Sequence, residues 1–190
     1  MKKRVRIFLL MLLLTATTQA FSQTTILISY HSKTGNTQAM AEAVYQGASQ
    51  VEGVTVVMKT VEETTLLDLL DASAIIVGSP VYNAGVAPEV AEFIAQWPFE
   101  EQPLKNKVGA AFVTAGGISA GEELTQMSIL QSMLIFGMIV TGGDEWTSPF
   151  GASAIVGEFP FSGQGVDDLF LKKGRALGTR VAGLAVKLNE

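Results

Sequence analysis

A chain of 190 residues with 13 basic and 18 acidic side chains, one histidine and no cysteine excludes several classes at once. Without cysteine there is no disulfide, no thiolate metal site, no cysteine nucleophile and no lipid-anchored lipoprotein; one histidine, His31, cannot build a multi-histidine metal centre. The net charge of −5 offers no electrostatic footprint for nucleic acid.

Lys2, Lys3, Arg4 and Arg6 open the chain, residues 7–14 are uninterrupted apolar sequence, and Thr18-Gln19-Ala20 offers small residues for cleavage. This is the three-part layout of a secretory signal peptide. Residues 1–20 are therefore expected to direct export by a Sec-type route, leaving the mature protein periplasmic or secreted. The apolar run falls short of the roughly 20 residues that a membrane span needs, so an uncleaved leader would be the only membrane attachment. Removing those four basic residues leaves nine basic against 18 acidic. Residues 24–190 fit one domain.

Beyond the leader, strand-like and helix-like stretches alternate. Residues 26–30 form a short apolar run, predicted as the first strand. Residues 37–49 carry Ala39, Met40, Ala43, Val44 and Ala48 at helical spacing. A second strand is predicted over 54–58 and a short leucine-rich helix over 65–70. Residues 74–78 are apolar throughout, as in a parallel strand covered on both faces. A helix over 88–96, a strand over 108–113 and a helix over 122–136 follow. A fifth strand is read at 138–141, irregular glycine-rich sequence at 142–165 and a long closing helix at 166–188. Five strands alternating with helices predict an α/β fold, a parallel sheet with helices on both faces.

A doubly wound sheet of this kind binds its ligand at the carboxyl ends of its strands, at the switch point beside the first. The turns after strands one, three and four are Ser32–Thr37, Gly78–Gly85 and Thr114–Gly121, all polar and glycine-rich. The first precedes a helix. Ser32, Thr34, Asn36 and Thr37 crowd it where an ordinary cap uses one side chain. A helix N-terminus with hydroxyl donors, and Gly35 for close approach, is a phosphate site that needs no cation. Lys33 is the one basic residue in the three turns. The second turn offers an aromatic plane, Tyr82.

Ser32-Lys-Thr-Gly-Asn-Thr37 resembles the phosphate loop of flavodoxins, and Gly78-Ser-Pro-Val-Tyr82 resembles the flavin-ring loop of flavodoxin-like reductases. The Thr114–Gly121 turn, Gly137-Met-Ile-Val140, Pro149-Phe-Gly-Ala-Ser153, Ala154-Ile-Val-Gly157 and Val181-Ala-Gly-Leu-Ala-Val-Lys-Leu-Asn189 resemble the WrbA-type NAD(P)H:quinone oxidoreductases. The resemblance implies a flavodoxin-like doubly wound five-stranded sheet, order 2-1-3-4-5, that binds FMN. It implies that Ser32, Lys33, Thr34, Gly35, Asn36 and Thr37 hold the phosphate. Pro80, Val81, Tyr82 and Asn83 would line the ring. Thr114, Ala115, Gly116, Gly117, Ile118 and Ser119 would bond the ring edge and ribityl chain. Where the family carries two histidines before the Gly-Met strand, this chain has Ile135 and Phe136.

The function implied is passage of electrons through bound FMN, from NAD(P)H to a quinone, with no side chain acting as nucleophile or base. Two alternatives use the same fold: a flavodoxin-type carrier serving a redox protein partner, and an exported binding module without enzymatic activity. The resemblance also admits a homo-oligomer. Trp97 and Trp146 are candidate flat walls of the ring pocket, with core packing the stronger account of Trp97. Asp144 and Glu145 are candidates to disfavour an anionic reduced flavin. His31 is read as a hydrogen-bonded structural residue.

Overall fold

Alternating side-chain direction in the first strand sets up the two faces of the molecule. Ile26 and Ile28 turn to one side and Leu27 to the other, and all three are fully buried. In this computed structural model, residues 24–163 and 165–189 are described; the expected leader lies outside them. The elements run β1 (Thr24–Tyr30), α1 (Asn36–Ala48), β2 (Val54–Thr60), α2 (Leu66–Asp71), β3 (Ala74–Tyr82), β4 (Gly85–Val86), α3 (Pro88–Ala95), β5 (Val108–Ala115), α4 (Glu122–Ile135), β6 (Ile139–Val140), β7 (Ala152–Ile155) and α5 (Asp168–Asn189).

The sheet order is β2-β1-β3-β5-β6, every neighbour parallel. This is the expected flavodoxin-like doubly wound order. The fifth position differs from its expected form, being shared by two short strands. β6 pairs with Val108 and Gly109 at the start of β5, and β7 pairs with Phe112 to Ala115 at its end. The residues between them leave the sheet and return. Gly143 donates to the Ser148 carbonyl at 2.8 Å, and a Cβ on Gly142 would lie 1.9 Å from the Pro149 carbonyl oxygen. Close folding of the insertion is thus built into its glycines. The sequence reading placed β6 and took β7 for irregular chain.

α1 and α5 cover one face, burying Met40, Val44, Leu177, Val181 and Ala185 against Ile26, Ile28, Ile76 and Phe112. α2, α3 and α4 cover the other, burying Leu69, Val90, Phe93, Ile129 and Met133 against Leu27, Ile75, Val77 and Val113. α1 and α5 approach closely because glycine stands at both contact points. A Cβ on Gly47 would meet the Arg175 carbonyl oxygen at 1.9 Å, and one on Gly178 the Val44 carbonyl oxygen at 2.0 Å. α2 starts on a capping box between Thr65 and Asp68, and Lys59 from β2 reaches both Asp68 oxygens at 2.8 Å. No helix among the described residues is long and apolar enough to cross a membrane.

Candidate functional site: three turns at the carboxyl ends of the sheet

β1, β3 and β5 lie side by side, so the turns that follow them emerge together. The turn after β1 leads into α1 through Gly35, whose φ of +86° is left-handed and costs a glycine little. Gly35, at the N-cap position of α1, supplies no side-chain cap. Ser32 Oγ accepts from the Gln38 amide at 3.2 Å. Among the described residues no protein acceptor meets the amides of Gly35, Asn36 and Thr37. Nothing lies within 4 Å of where a Cβ on Gly35 would sit. Free amides at a helix N-terminus beside open space form an anion cradle.

The turn after β3 is tighter than expected. β3 continues through Pro80, which is buried and in register with Thr114. The chain then doubles back, pairing Val81 with Val86 and Tyr82 with Gly85. Asn83 and Ala84, the two residues at the tip, have φ of 50° and 59°, the left-handed pair that a two-residue hairpin requires. Ser79 secures the return: its hydroxyl accepts from the Ala87 amide at 3.0 Å and donates to the Pro80 carbonyl at 2.7 Å. Thr114 and Ala115 end β5 as buried residues; Gly116, Ile118 and Ser119 are exposed beyond them.

Direct contacts join the three turns. Thr37 Oγ1 is 2.8 Å from Thr114 Oγ1, linking the first to the third. Lys33 Nζ stands 5.5 Å from the centroid of the Tyr82 ring, linking the first to the second. Gly121 packs on Ala84, linking the third to the second; a Cβ there would be 2.6 Å from the Ala84 Cα. A fourth segment, after β7, closes on the third turn. Val156 donates to the Ala115 carbonyl at 3.0 Å, and the Glu158 carboxylate accepts from the Ile118 amide at 2.6 Å.

Charged groups collect behind the first turn. His31 is 8% exposed. Its Nδ1 lies 2.9 Å from Glu62 Oε1, and its Nε2 lies 3.6 Å from Glu89 Oε1, which Lys33 Nζ also approaches at 3.2 Å. The Glu89 carboxyl is held below its ordinary range chiefly by its own backbone amide, with Lys33 and His31 adding to the effect. Partial burial pushes the Glu62 carboxyl up, but its backbone amide and the His31 ring outweigh that and hold it low.

The sequence reading missed Glu62, Glu89 and Glu158; Ala84 and Gly121 lie within the turns it singled out but were given no role of their own. Glu89 left a readable trace: an acid just after Pro88 at a helix start faces the strand ends. Glu158 left none, because β7, which aims it, was read as loop. The tryptophans part company. Trp97 is buried, edge-on to Phe93 at 5.6 Å and tilted on Phe136 at 5.4 Å. Phe136 therefore belongs, within this chain, to an aromatic cluster at the start of β6, away from the three turns. Trp146 is 88% exposed, on the insertion between β6 and β7. Asp144 is engaged by Arg180 at 3.4 Å. No cluster of three or more metal-ligating side chains occurs among the described residues.

The arrangement fits a flavin mononucleotide. There is a helix end with three free amides for a phosphate, an aromatic face at Tyr82 and exposed backbone beyond β5 for a ring edge. The family model described as NADPH-dependent FMN reductase matches residues 67–153. A flavodoxin of Aquifex aeolicus is 35% identical over 143 residues, 70% of this chain and 75% of the relative. An NAD(P)H dehydrogenase (quinone) of Rhodopseudomonas palustris is 31% identical over 200 residues, 86% of this chain and 98% of the relative. Among solved structures, a WrbA-like flavodoxin of Agrobacterium tumefaciens superposes with a TM-score of 0.71 at 22% identity, covering 86% of this chain and 98% of that one.

Proposed function

Because the chain belongs to the flavodoxin-like family of WrbA-type NAD(P)H:quinone oxidoreductases, with FMN as cofactor, we propose that it reduces quinones with NAD(P)H. The observation that carries this reading is the match over 98% of the length of a relative named for that reaction. Bound FMN would supply the redox chemistry, two-electron transfer between a nicotinamide and an acceptor. The chain's part is to hold and orient. The α1 amides and the hydroxyls of Ser32 and Thr34 would receive the phosphate. Tyr82 would stand against the ring, and residues 114–119 would meet its edge and the ribityl chain. No side chain is needed as nucleophile or base.

The test is steady-state reduction of a benzoquinone by FMN-loaded protein with NADH or NADPH. Turnover supports the reading, and its absence with FMN bound overturns it. The second reading is a flavodoxin-type carrier without a small-molecule substrate. The 35% identity to the Aquifex flavodoxin and the loss of the family's histidine pair to Ile135 and Phe136 favour it. Redox titration separates the two: a carrier titrates in two well-separated one-electron steps, a quinone reductase in one two-electron step.

Residues 1–20 support export, which would bring the mature domain, 24–190, to its FMN outside the cytoplasm. Visible absorbance of periplasmic or secreted material tests this. A yellow mature protein is the expected result; a colourless one that refuses added FMN would indicate a binding module.

A further inference from the structure

His31 is the chain's only histidine, and the redox chemistry gives it nothing to do. Its placement is nevertheless specific. The ring is buried one residue before the phosphate turn, between two carboxylates from different elements. Glu62, in the turn after β2, meets Nδ1 at 2.9 Å, and Glu89, on α3, stands 3.6 Å from Nε2. Nε2 is too far from Glu89 for a hydrogen bond, and both it and Glu89 Oε2 are buried without a partner. The oxygen that faces Nε2, Glu89 Oε1, is the one that holds Lys33 Nζ at 3.2 Å. Lys33, the single cation of the three turns, is therefore turned toward Glu89 and the face of Tyr82. Among the described residues, the charged groups at ion-pair distance in this cluster are Glu62, Glu89 and Lys33.

We infer that His31 is a positioning residue for the cofactor: its protonation decides whether Glu89 retains Lys33 or releases it to the FMN phosphate. The competition is electrostatic, because Glu89 Oε1 faces both Nε2 at 3.6 Å and Lys33 Nζ at 3.2 Å. With one nitrogen protonated, imidazole donates to Glu62 and leaves Glu89 to Lys33. With both protonated, the second N–H points at Glu89, and the new positive charge offsets that carboxylate's charge and repels the Lys33 ammonium. Lys33 is then free to pair with the phosphate, whose charge is greater than a carboxylate's. The device works through Lys33, because the His31 ring is buried with its two nitrogens facing Glu62 and Glu89. The inference rests on FMN binding with its phosphate at Ser32–Thr37.

The experiment measures FMN and riboflavin dissociation constants by flavin fluorescence on apoprotein at pH 8 and pH 5.5. It compares wild type, H31Q, K33M and the double variant. The phosphate of free FMN also titrates near pH 6, but that ligand is common to every protein, so the wild-type-to-H31Q affinity ratio isolates the histidine. That ratio for FMN is expected to rise about two- to fivefold on acidification, the scale of one partly exposed ion pair. It should stay flat for riboflavin, which lacks the phosphate, and flat for FMN when both proteins carry K33M. A ratio independent of pH overturns the inference, as does a rise that survives K33M, which would assign the effect to the field of the imidazolium alone. H31N replaces H31Q if the glutamine variant does not fold, judged by its thermal melt. Wild type that binds no FMN at either pH would overturn the cofactor site itself, a result distinct from a flat ratio.

Discussion

Thr37 and Thr114, 77 residues apart in sequence, place their hydroxyl oxygens 2.8 Å from each other in the interior. Thr37 is 2% exposed and Thr114 5%. This bond fastens the first turn of α1 to the end of β5, and so fixes the phosphate cradle relative to the backbone expected at the flavin edge. Thr114→Val keeps the shape and leaves the Thr37 hydroxyl unpaired. The expected cost is about 1–3 kcal/mol of stability, the penalty for a buried polar group without its partner. Urea unfolding measures it, and FMN affinity should fall with it.

Thr34 sits in the same turn under opposite conditions. It is exposed, and its hydroxyl meets only the Asn36 amide group at 3.3 Å. Thr34→Ala should leave the urea midpoint within the scatter of surface substitutions, about 0.5 kcal/mol. It should weaken FMN by about 1–2 kcal/mol, the scale of one hydrogen bond to a charged group. Thr37→Ala should lower both quantities. Equal behaviour of the two variants in both measurements would refute the division of labour between the threonines.

Gly178 is a prediction about packing. Its α-carbon faces α1 so closely that an alanine Cβ would lie 2.0 Å from the Val44 carbonyl oxygen and 2.8 Å from the Ala48 amide nitrogen. The obstruction is backbone, so a side-chain shift cannot relieve it. Gly178→Ala favours the helix by propensity, by about 1 kcal/mol, yet must push α5 away from α1. A net loss of about 1–3 kcal/mol is expected from overpacking, read from chemical denaturation. The control is Gly183→Ala on the same helix, where nothing lies within 4 Å; that variant should gain stability.

What could be read in the sequence divides along physical lines. The buried strands announced themselves because a parallel strand covered on both faces is apolar without interruption, as at Ala74–Val77. The first turn was legible because its hydroxyls exceed what capping requires. β7 was not legible: Ala152-Ser-Ala-Ile155 is three small residues and one isoleucine paired with β5, and no local periodicity marks it. The β3–β4 hairpin was also hidden, since Asn83-Ala84 lacks the glycine that usually signals positive φ. His31 was legible as a hydrogen-bonded residue, but its partners were not, because Glu62 and Glu89 meet it only through the sheet order.

Asp68 supplies a pH-dependent prediction. Partial burial pushes its carboxyl up, but the Lys59 ammonium and the Thr65 hydroxyl and amide outweigh that and hold it below its ordinary value. A carboxyl depressed in the folded state stabilises the fold above its unfolded value, near about 3.9. That contribution is lost as pH falls through the lower folded value. Wild type should therefore melt above Asp68→Asn by a constant margin from pH 8 to pH 5. The margin should close as the solution is acidified below about pH 4. A gap that persists unchanged in acid would mean that the Asp68 charge contributes nothing.

Glu158 stands at the third turn, where its carboxylate accepts from the Ile118 amide at 2.6 Å and faces Gly117. The acids first considered for the flavin environment were Asp144 and Glu145. Asp144 is engaged by Arg180 on α5, whereas Glu158 has no cation partner among the ion pairs of the described residues. An uncompensated carboxylate beside residues 116–119 disfavours added negative charge there. It also occupies a donor that a ring edge could use. Glu158→Gln keeps the size and removes the charge, so the bound cofactor should become easier to reduce. The expected rise in midpoint potential is about 30–60 mV, up to about a tenfold change in a one-electron equilibrium. Potentiometric titration of both proteins at pH 7 and low salt measures it. An unchanged potential would place the Glu158 carboxylate outside the electrostatic reach of the flavin.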